Sequence, residues 1–352
     1  MIHKTNTANT YSGANNNIDF TYYSSMSNID ADYTFECLIS KISINTHVDR
    51  LNFSCFYHLE EAVQWVFQAL DNKLHGYSCT KDGFVQKGIY TRKRIYIHNK
   101  KAIKITILYK RRNPKEPYLP AFTIILDDPD IGSINWLYNY CDSSEFTTTL
   151  SYVELAIDYS PPVSMLKEYF SRNLVLKNHR GSCQFVDGST GKNKKDKPVI
   201  IYSKDVDDGD SFYIGHKKKN SKSIVLYPKE IDDDNVLRLE FRLKRNFLKR
   251  IGVELDCFIN INNIDLSKLV SFKKLNHDKL IKYIEWKLKK VNGNDRQLIK
   301  EVRKFTKIGN VAMKQIKYLK QNGYKSNYQR FFEDITDVND AFYGRLKGAK
   351  FI

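Results

Sequence analysis

The stretch "SYVELAIDYS", residues 151–160, sets Glu154 and Asp158 on either side of Ala156 at two-residue spacing. Side chains alternate across a strand, so 154, 156 and 158 share one face while Val153, Leu155 and Ile157 form an apolar core face. An uncompensated buried carboxylate is expensive, so the acidic face must be solvated, paired or bound to a cation. A second strand pattern, "LRLEFRLK" at 237–244, puts Glu240 between Arg238 and Arg242. Carboxylates beside guanidinium groups suit a site where a divalent metal grips one phosphate and arginines hold its neighbours. In outline this is phosphodiester chemistry.

Spacing limits how a metal would be held. Residues four apart on an extended strand are separated by roughly 13 Å, too far for Glu154 and Asp158 to share an ion unless a bulge bends the strand. One of them is expected to join Glu240 from a neighbouring strand about 4.8 Å away, with the other orienting water or DNA. The spacing does not say which. Ion pairs with Arg238, Arg242 or Lys244 would account for the same carboxylates without a metal.

The elements that must position these residues read as an α+β protein. "YHLEEAVQWVFQALDN" spaces Leu59, Ala62, Val63, Val66, Phe67 and Leu70 as an amphipathic helix. From Gly83 to Arg112, apolar and basic residues alternate, the pattern of two or more antiparallel strands with one wet, positive face. "AFTIILDD" and "TTLSYVELAIDYS" continue the sheet, and "PPVSMLKEYFSRNL" is a helix opened by prolines with Leu166, Tyr169 and Phe170 on one side. After the loop "STGKNKKDKP" come further strand patterns, "VIIYSK", "SFYIGH", "SIVLYPKE" and "NVLRLEFRLKR". Beyond residue 250 the period changes from 2 to 3.6, with helical spacing in "HDKLIKYIEWKLKKV" and two more helices broken at Gly309. The expected organisation is a polar, partly flexible arm over 1–45, a nuclease domain built on a central antiparallel sheet over 46–250, and a basic helical domain over 251–352.

Composition narrows the partners. The 352 residues are 41% hydrophobic and 13% aromatic, which excludes wholesale disorder, and 57 Lys and Arg against 40 Asp and Glu give a net charge of +17. Such a surface attracts polyanions, nucleic acid first among them. No apolar run approaches the roughly 18 residues of a spanning helix, so no membrane role is expected. The six cysteines are scattered singly with no CxxC pair, which indicates neither zinc nor disulfides and fits a cytoplasmic protein. The Asn-rich first twenty residues lack the apolar core of a signal peptide.

Three pieces together resemble the replication initiation factor family, the HUH-related rolling-circle initiators of plasmids and phages and the related relaxases of integrative conjugative elements. Glu154, Ala156 and Asp158 resemble its D-x-A-x-D strand, with Glu for the first Asp. "YIGHKKKNSKSIVLYPK" resembles its Y-x-G-S-R-x-S…Y-[DE]-K hairpin, and Arg238, Glu240 and Arg242 resemble its R-x-E-x-[RK] strand. The departures are His216 and Lys217 for Ser-Arg, Pro228 for the acidic residue before Lys229, and Val225 at a position often held by Arg. The likeness spans about residues 150 to 250.

The resemblance implies a site-specific nicking-and-joining endonuclease acting on a single-stranded or hairpin DNA origin. A tyrosine attacks a phosphate with Mg²⁺ or Mn²⁺, a 5′-phosphotyrosyl enzyme forms, and a free 3′-OH is left. It also implies a host helicase as partner. The metal ligands would come from Glu154, Asp158 and Glu240. A phenol has a pKa near 10 and needs such help. This family lacks the paired histidines of its relatives, and none of the eight His here forms an H-x-H pair. Tyr227 fits the nucleophile best, since it follows the strand "SIVL", where Pro228 is expected to end the ladder and Lys229 could contact phosphate. Tyr213, on the other limb of the hairpin, is the second candidate.

Lys217, Lys218, Lys219 and Lys222 of that hairpin, Arg238 and Arg242, and Lys93, Arg94, Lys110 and Arg111 of the earlier strands are candidate DNA contacts. Each phosphate neutralised steepens the salt dependence by about 0.9 on duplex DNA. "NVAMKQIKYLKQ" after Gly309 has the outline of a recognition helix, though an ordinary helical hairpin explains it as well. Two other readings stay open: a non-catalytic sequence-specific DNA binder that uses the carboxylates structurally, and an RNA binder whose tyrosines stack on bases.

Overall fold

The computed structural model describes residues 28–57, 62–72, 76–116, 118–143, 146–160, 162–177, 183–186, 200–201, 211–215, 220–231, 233–256, 258–276, 279, 332–347 and 351. The helix expected at 277–291, except for Lys279, the helices expected around Gly309, and Lys217, Lys218 and Lys219 lie outside them.

A long antiparallel sheet organises the chain. Its strands are β1 (Ile44–Phe56), β2 (Tyr77–Phe84), β3 (Tyr90–His98), β4 (Lys104–Arg111), β5 (Phe122–Asp127), β6 (Thr147–Tyr159), β8 (Cys183–Val186), β9 (Ile200–Ile201), β10 (Ser211–Ile214), β11 (Lys222–Ile231) and β12 (Asp234–Lys244). Their order across the sheet is β2-β3-β4-β5-β1-β6-β12-β11-β10-β8-β9. A small second sheet joins β7 (Leu174–Leu176), β13 (Val270–Leu275) and β14 (Phe332–Asp334) in the order β14-β13-β7.

The alternation read from the sequence sorts the two faces of the large sheet. Val153, Leu155 and Ile157 of β6, and Leu237, Leu239, Phe241 and Leu243 of β12, are buried together on one face. Each such side chain withdrawn from water contributes about 1.5–3 kcal/mol. Helices cover this face. In α2 (Val63–Asp71), Val63, Val66, Phe67 and Leu70 are buried, and Phe67 meets Tyr96 and Tyr109. In α4 (Val163–Asn173), Leu166, Tyr169 and Phe170 are buried, and Phe170 packs edge-on to Tyr159. α3 (Ile131–Ser143) adds Ile134 and Leu137, and α5 (Arg245–Arg250) adds Phe247 and Leu248.

Two expectations about the ends change. The segment read as an arm contains α1 (Asn28–Lys41), whose Phe35, Leu38 and Ile39 are buried. With Ile42 these stand at i, i+3, i+4 and i+7, a helical stripe that the Asn-rich lead obscures. Past residue 250, the described segments are short 3₁₀ turns, β13, β14 and α6 (Thr336–Lys347), and they join the same hydrophobic core. α1 packs against α6, Phe35 stacks on Tyr169, and Phe272 meets both Phe170 and Phe342. Among the described residues, no helix is long and apolar enough to cross a membrane.

Candidate active site

The opposite face of β1, β6, β12 and β11 carries the charged residues. Antiparallel register aligns His47, Ala156, Glu240 and Val225 in one row, with Tyr213 of β10 opposite Val225. The next row aligns Arg50, Glu154, Arg242 and Ser223, and the row on the other side aligns Asn45, Asp158, Arg238 and Tyr227. Partners in register project to the same side of a sheet, so all these groups share one face. That face is not solvated: Glu154 is 2% exposed, Asp158 4% and Glu240 1%.

One further acid belongs there, and the strand patterns of the sequence did not point to it. Along β1 the register to β6 jumps from Val48↔Leu155 to Arg50↔Glu154, leaving Asp49 as the extra residue of a β-bulge. The bulge turns Asp49 and Arg50 to the acidic side while Val48 and Leu51 both stay in the core. Asp49, Glu154 and Glu240 then bring carboxylate oxygens within 4.8 Å of one another. So Glu154 joins Glu240, and the third member comes from β1. The signal was present in "THVDRLNF", where apolar Val48 and Leu51 are three apart rather than two, as a bulge demands.

Asp158 has a different partner. Arg238 grips it with Nε and Nη2, both at 2.7 Å, and extends Nη1 to Asp49 at 2.7 Å. Arg238 is itself 2% exposed, so it is committed to these acids rather than offered to a phosphate from solution. Arg242 binds Glu240 at 2.5 Å and lies 3.8 Å from Glu154, with its guanidinium 5.9 Å from the Tyr213 ring centre. Tyr152 donates to Glu154, and Arg50 lies 3.9 Å from it while bonding Asp127.

Tyr227 closes the cluster. Its hydroxyl donates to Glu240 Oε2 at 3.1 Å. Burial, then the charge of Glu240, raises the phenol above its ordinary value. Pro228 does not end the ladder: β11 continues to Ile231, with Pro228 opposite Leu237. The missing N–H is tolerated because, among the described residues, β10 pairs only with Ile224, Val225 and Leu226, leaving β11 one-sided at Pro228. Lys229 is half-buried, and its charge acts on both Asp49 and His47.

The donor set fits a hard divalent ion. Oxygens bound to one Mg²⁺ at about 2.1 Å stand roughly 3–4 Å apart, so the triangle closes with small side-chain adjustments. Burial raises the pKa of Glu240, and Arg242 opposes the rise while the charges of Glu154 and Asp49 add to it. Burial likewise raises Asp49, against the pull of Arg238. Bringing these acids together therefore leaves negative charge that a cation would offset. His47 borders them: its Nδ1 has no hydrogen-bond partner, lies 3.7 Å from Asp158, and is lowered in pKa by burial and by Arg238.

The other expected DNA contacts are placed elsewhere. Lys222 pairs in register with Leu243, on the core face, where its ammonium donates to the Lys177 carbonyl and sits 4.8 Å from the Phe247 ring centre. Burial and Arg250 lower its pKa to about 8. Arg94 lies over Phe67 at 4.5 Å and near Asp71 and Asp82, on the helix-covered side. Arg111 is buried and donates to the carbonyls of Glu116 and Leu119. Lys93 and Lys110 keep partly or fully exposed positions on β3 and β4.

No family model matches the chain, and no curated protein matches it. Among solved structures, it is similar to the rolling circle replication initiator protein from Geobacillus stearothermophilus, with 11% identity, a TM-score of 0.38, and coverage of 66% of this chain and 88% of that one.

Proposed function

We propose that this protein is a site-specific, metal-dependent DNA nicking-and-joining endonuclease that starts rolling-circle replication or element transfer through a 5′-phosphotyrosyl intermediate. The observation that carries this reading is the Tyr227 hydroxyl bonded to Glu240 at the edge of a three-carboxylate cluster. The likeness of the three sequence pieces to the replication initiation factor family supports it.

In this reading Asp49, Glu154 and Glu240 would hold Mg²⁺ or Mn²⁺, which would supply polarisation of the scissile phosphate and stabilisation of charge in the in-line transition state. The Tyr227 proton passes by way of the Glu240 carboxylate to solvent as the phenolic oxygen attacks phosphorus. The phosphorus bond to the 3′ oxygen breaks, that oxygen takes a proton from water to balance the one released from Tyr227, and the 5′ phosphate stays on Tyr227. Arg238 and Arg242 fix the carboxylates, and Lys229 stands on the same face to meet a phosphate. Tyr213 is the alternative nucleophile.

The test is incubation with labelled single-stranded DNA from the flanks of the protein's own gene, with Mn²⁺ or EDTA. A denaturing gel is followed by mass spectrometry of any adduct. A metal-dependent adduct on Tyr227 is expected.

One observation favours a second reading, a non-catalytic sequence-specific DNA binder. Asp49, Asp158 and Glu240 each bond an arginine, and Glu154 accepts from Tyr152, so the cluster can be an ion-pair network. That reading predicts no adduct and indifference to metal.

A further inference from the structure

The forty residues 77–116 hold twelve Lys and Arg against Asp82 and Glu116, a net +10 of the chain's +17. They form β2, β3, β4 and their turns, at the far side of the sheet from β12. Half of these cations work internally. Arg92 bonds Asp82 at 3.0 Å, Arg94 lies 3.6 Å from Asp82, Lys101 pairs with Asp130, and Lys104 pairs with Asp127 at 2.5 Å. Arg111 and Arg112 donate to main-chain carbonyls. Among the described residues, Lys81, Lys87, Lys93, Lys100, Lys110 and Lys115 have no carboxylate within 4.0 Å.

Two exposed aromatic rings stand at the same end of the wing as Lys87 of the β2–β3 turn and Lys115 of the β4–β5 loop, whereas Lys81, Lys93 and Lys110 alternate onto the opposite sheet face from Phe84. Phe84 ends β2 with 78% of its surface exposed, and the Arg92 guanidinium lies 4.6 Å from its ring centre, leaving the rest of the ring open. Tyr118 is 72% exposed, on the loop between β4 and β5. That loop is tied to the β2–β3 hairpin by Tyr90 donating to the Pro120 carbonyl and by Arg112 donating to Val85 and Gly88. With half of the cations paired, the free lysines and the two open rings at this end combine positive charge with stacking surfaces, the two features that a single-stranded nucleic acid engages.

We propose that the β2–β3–β4 wing binds single-stranded DNA at a surface separate from the carboxylate cluster. Phe84 and Tyr118 stack on bases, and Lys87 and Lys115, exposed in the same turn and loop, meet phosphates. Rings can stack only on unpaired bases, which favours a single strand over a duplex, and the net charge supplies the complement to its backbone. The identification of DNA rests on the proposed function.

The test is fluorescence anisotropy of the full chain with a labelled single-stranded DNA of about 30 nucleotides, in EDTA, compared with the same sequence as duplex and as RNA. Phe84→Ala with Tyr118→Ala is expected to weaken single-strand binding about tenfold while duplex binding changes less than about twofold. Lys87→Gln with Lys115→Gln is expected to lower the salt slope on the single strand by about 1.4, roughly 0.7 for each phosphate no longer neutralised. Unchanged single-strand affinity in both variants overturns the proposal. So does an equal loss on duplex, which indicates backbone binding alone, or tighter binding of the RNA. Binding in EDTA is independent of nicking, so loss of the Tyr227 adduct with intact wing binding would overturn the nuclease reading alone.

Discussion

Tyr227 and Glu240 are bonded diagonally across the β11–β12 ladder. In register Tyr227 faces Arg238, while Glu240 faces Val225, and the phenol leans along the sheet to reach Oε2 at 3.1 Å. Diagonal neighbours on one sheet face lie within reach of long aromatic side chains. The consequence is a phenol held against a carboxylate whose affinity for a proton is increased by burial. Burial and that same carboxylate also raise the Tyr227 pKa, so the hydroxyl stays protonated at neutral pH until positive charge enters the cluster.

Tyr227→Phe removes one oxygen and leaves the ring. Nicking of the labelled strand is expected to fall by at least about a thousandfold, roughly 4 kcal/mol of transition-state stabilisation, with no adduct detected. Stability should change by only about 1 kcal/mol, the net value of one hydrogen bond. Tyr213→Phe should keep the adduct. If the phenylalanine variant at 227 still forms it and the variant at 213 does not, the nucleophile is reassigned.

Asp49, Glu240 and Asp158 should separate by role. Asp49→Asn and Glu240→Gln are expected to weaken Mn²⁺ binding at least about tenfold, since each removes a charged oxygen from the triangle. Asp158→Asn should leave Mn²⁺ affinity nearly unchanged but destabilise the fold by about 3 kcal/mol, because it strips the bidentate partner from buried Arg238. Isothermal titration with Mn²⁺ and denaturant melts of the same three variants decide this. Equal losses of metal affinity in all three would place Asp158 among the ligands.

The sequence made the two faces of β6 and β12 legible, because strict alternation runs through both strands. It also put Glu154, Glu240, Arg238 and Arg242 on one face. Asp49 escaped, because a bulge breaks the period of two at the residue that matters, and a pattern search over "THVDRLNF" sees no clean strand. The split between Glu154 and Asp158 was invisible for another reason. Arg238 faces Asp158 directly while Arg242 faces Glu154, yet Arg242 turns along its own strand to Glu240, a rotamer choice that composition does not encode. The basic residues misled in the same way: Lys222 and Arg94 lie on covered faces, and the charge of a residue says nothing about the side of the sheet it occupies.

Lys222→Met tests that last distinction. The ammonium lies on the core face beside Phe247, and its pKa is lowered to about 8 by burial and Arg250. A lysine lowered on folding makes the native state bind its proton less tightly than the unfolded chain, so the charge opposes folding below about pH 8 and the penalty fades as pH rises toward the ordinary 10.5. The variant is expected to leave DNA affinity and its salt slope unchanged. Its stability relative to the wild type should be best at low pH and decline as pH rises. A fall in salt slope by about 0.7–0.9 would restore Lys222 as a phosphate-binding residue.

The raised acids make the opposite prediction for the cluster. Glu240 and Asp49 hold their protons more tightly in the folded protein than at their ordinary values of 4.5 and 3.8. Their contribution to stability is therefore full below those values and is lost as pH rises through the raised ones. Metal binding needs both carboxylates ionised, so it releases protons and strengthens over the same window. In EDTA, the melting temperature of the wild type relative to Glu240→Gln is expected to fall as pH rises from about 4 to 8. With Mn²⁺ the wild type should recover, little at the acid end and most at the alkaline end, while the variant responds weakly. A Mn²⁺ effect of the same size at every pH, or equal in the variant, would show that the ion binds somewhere other than between Asp49, Glu154 and Glu240.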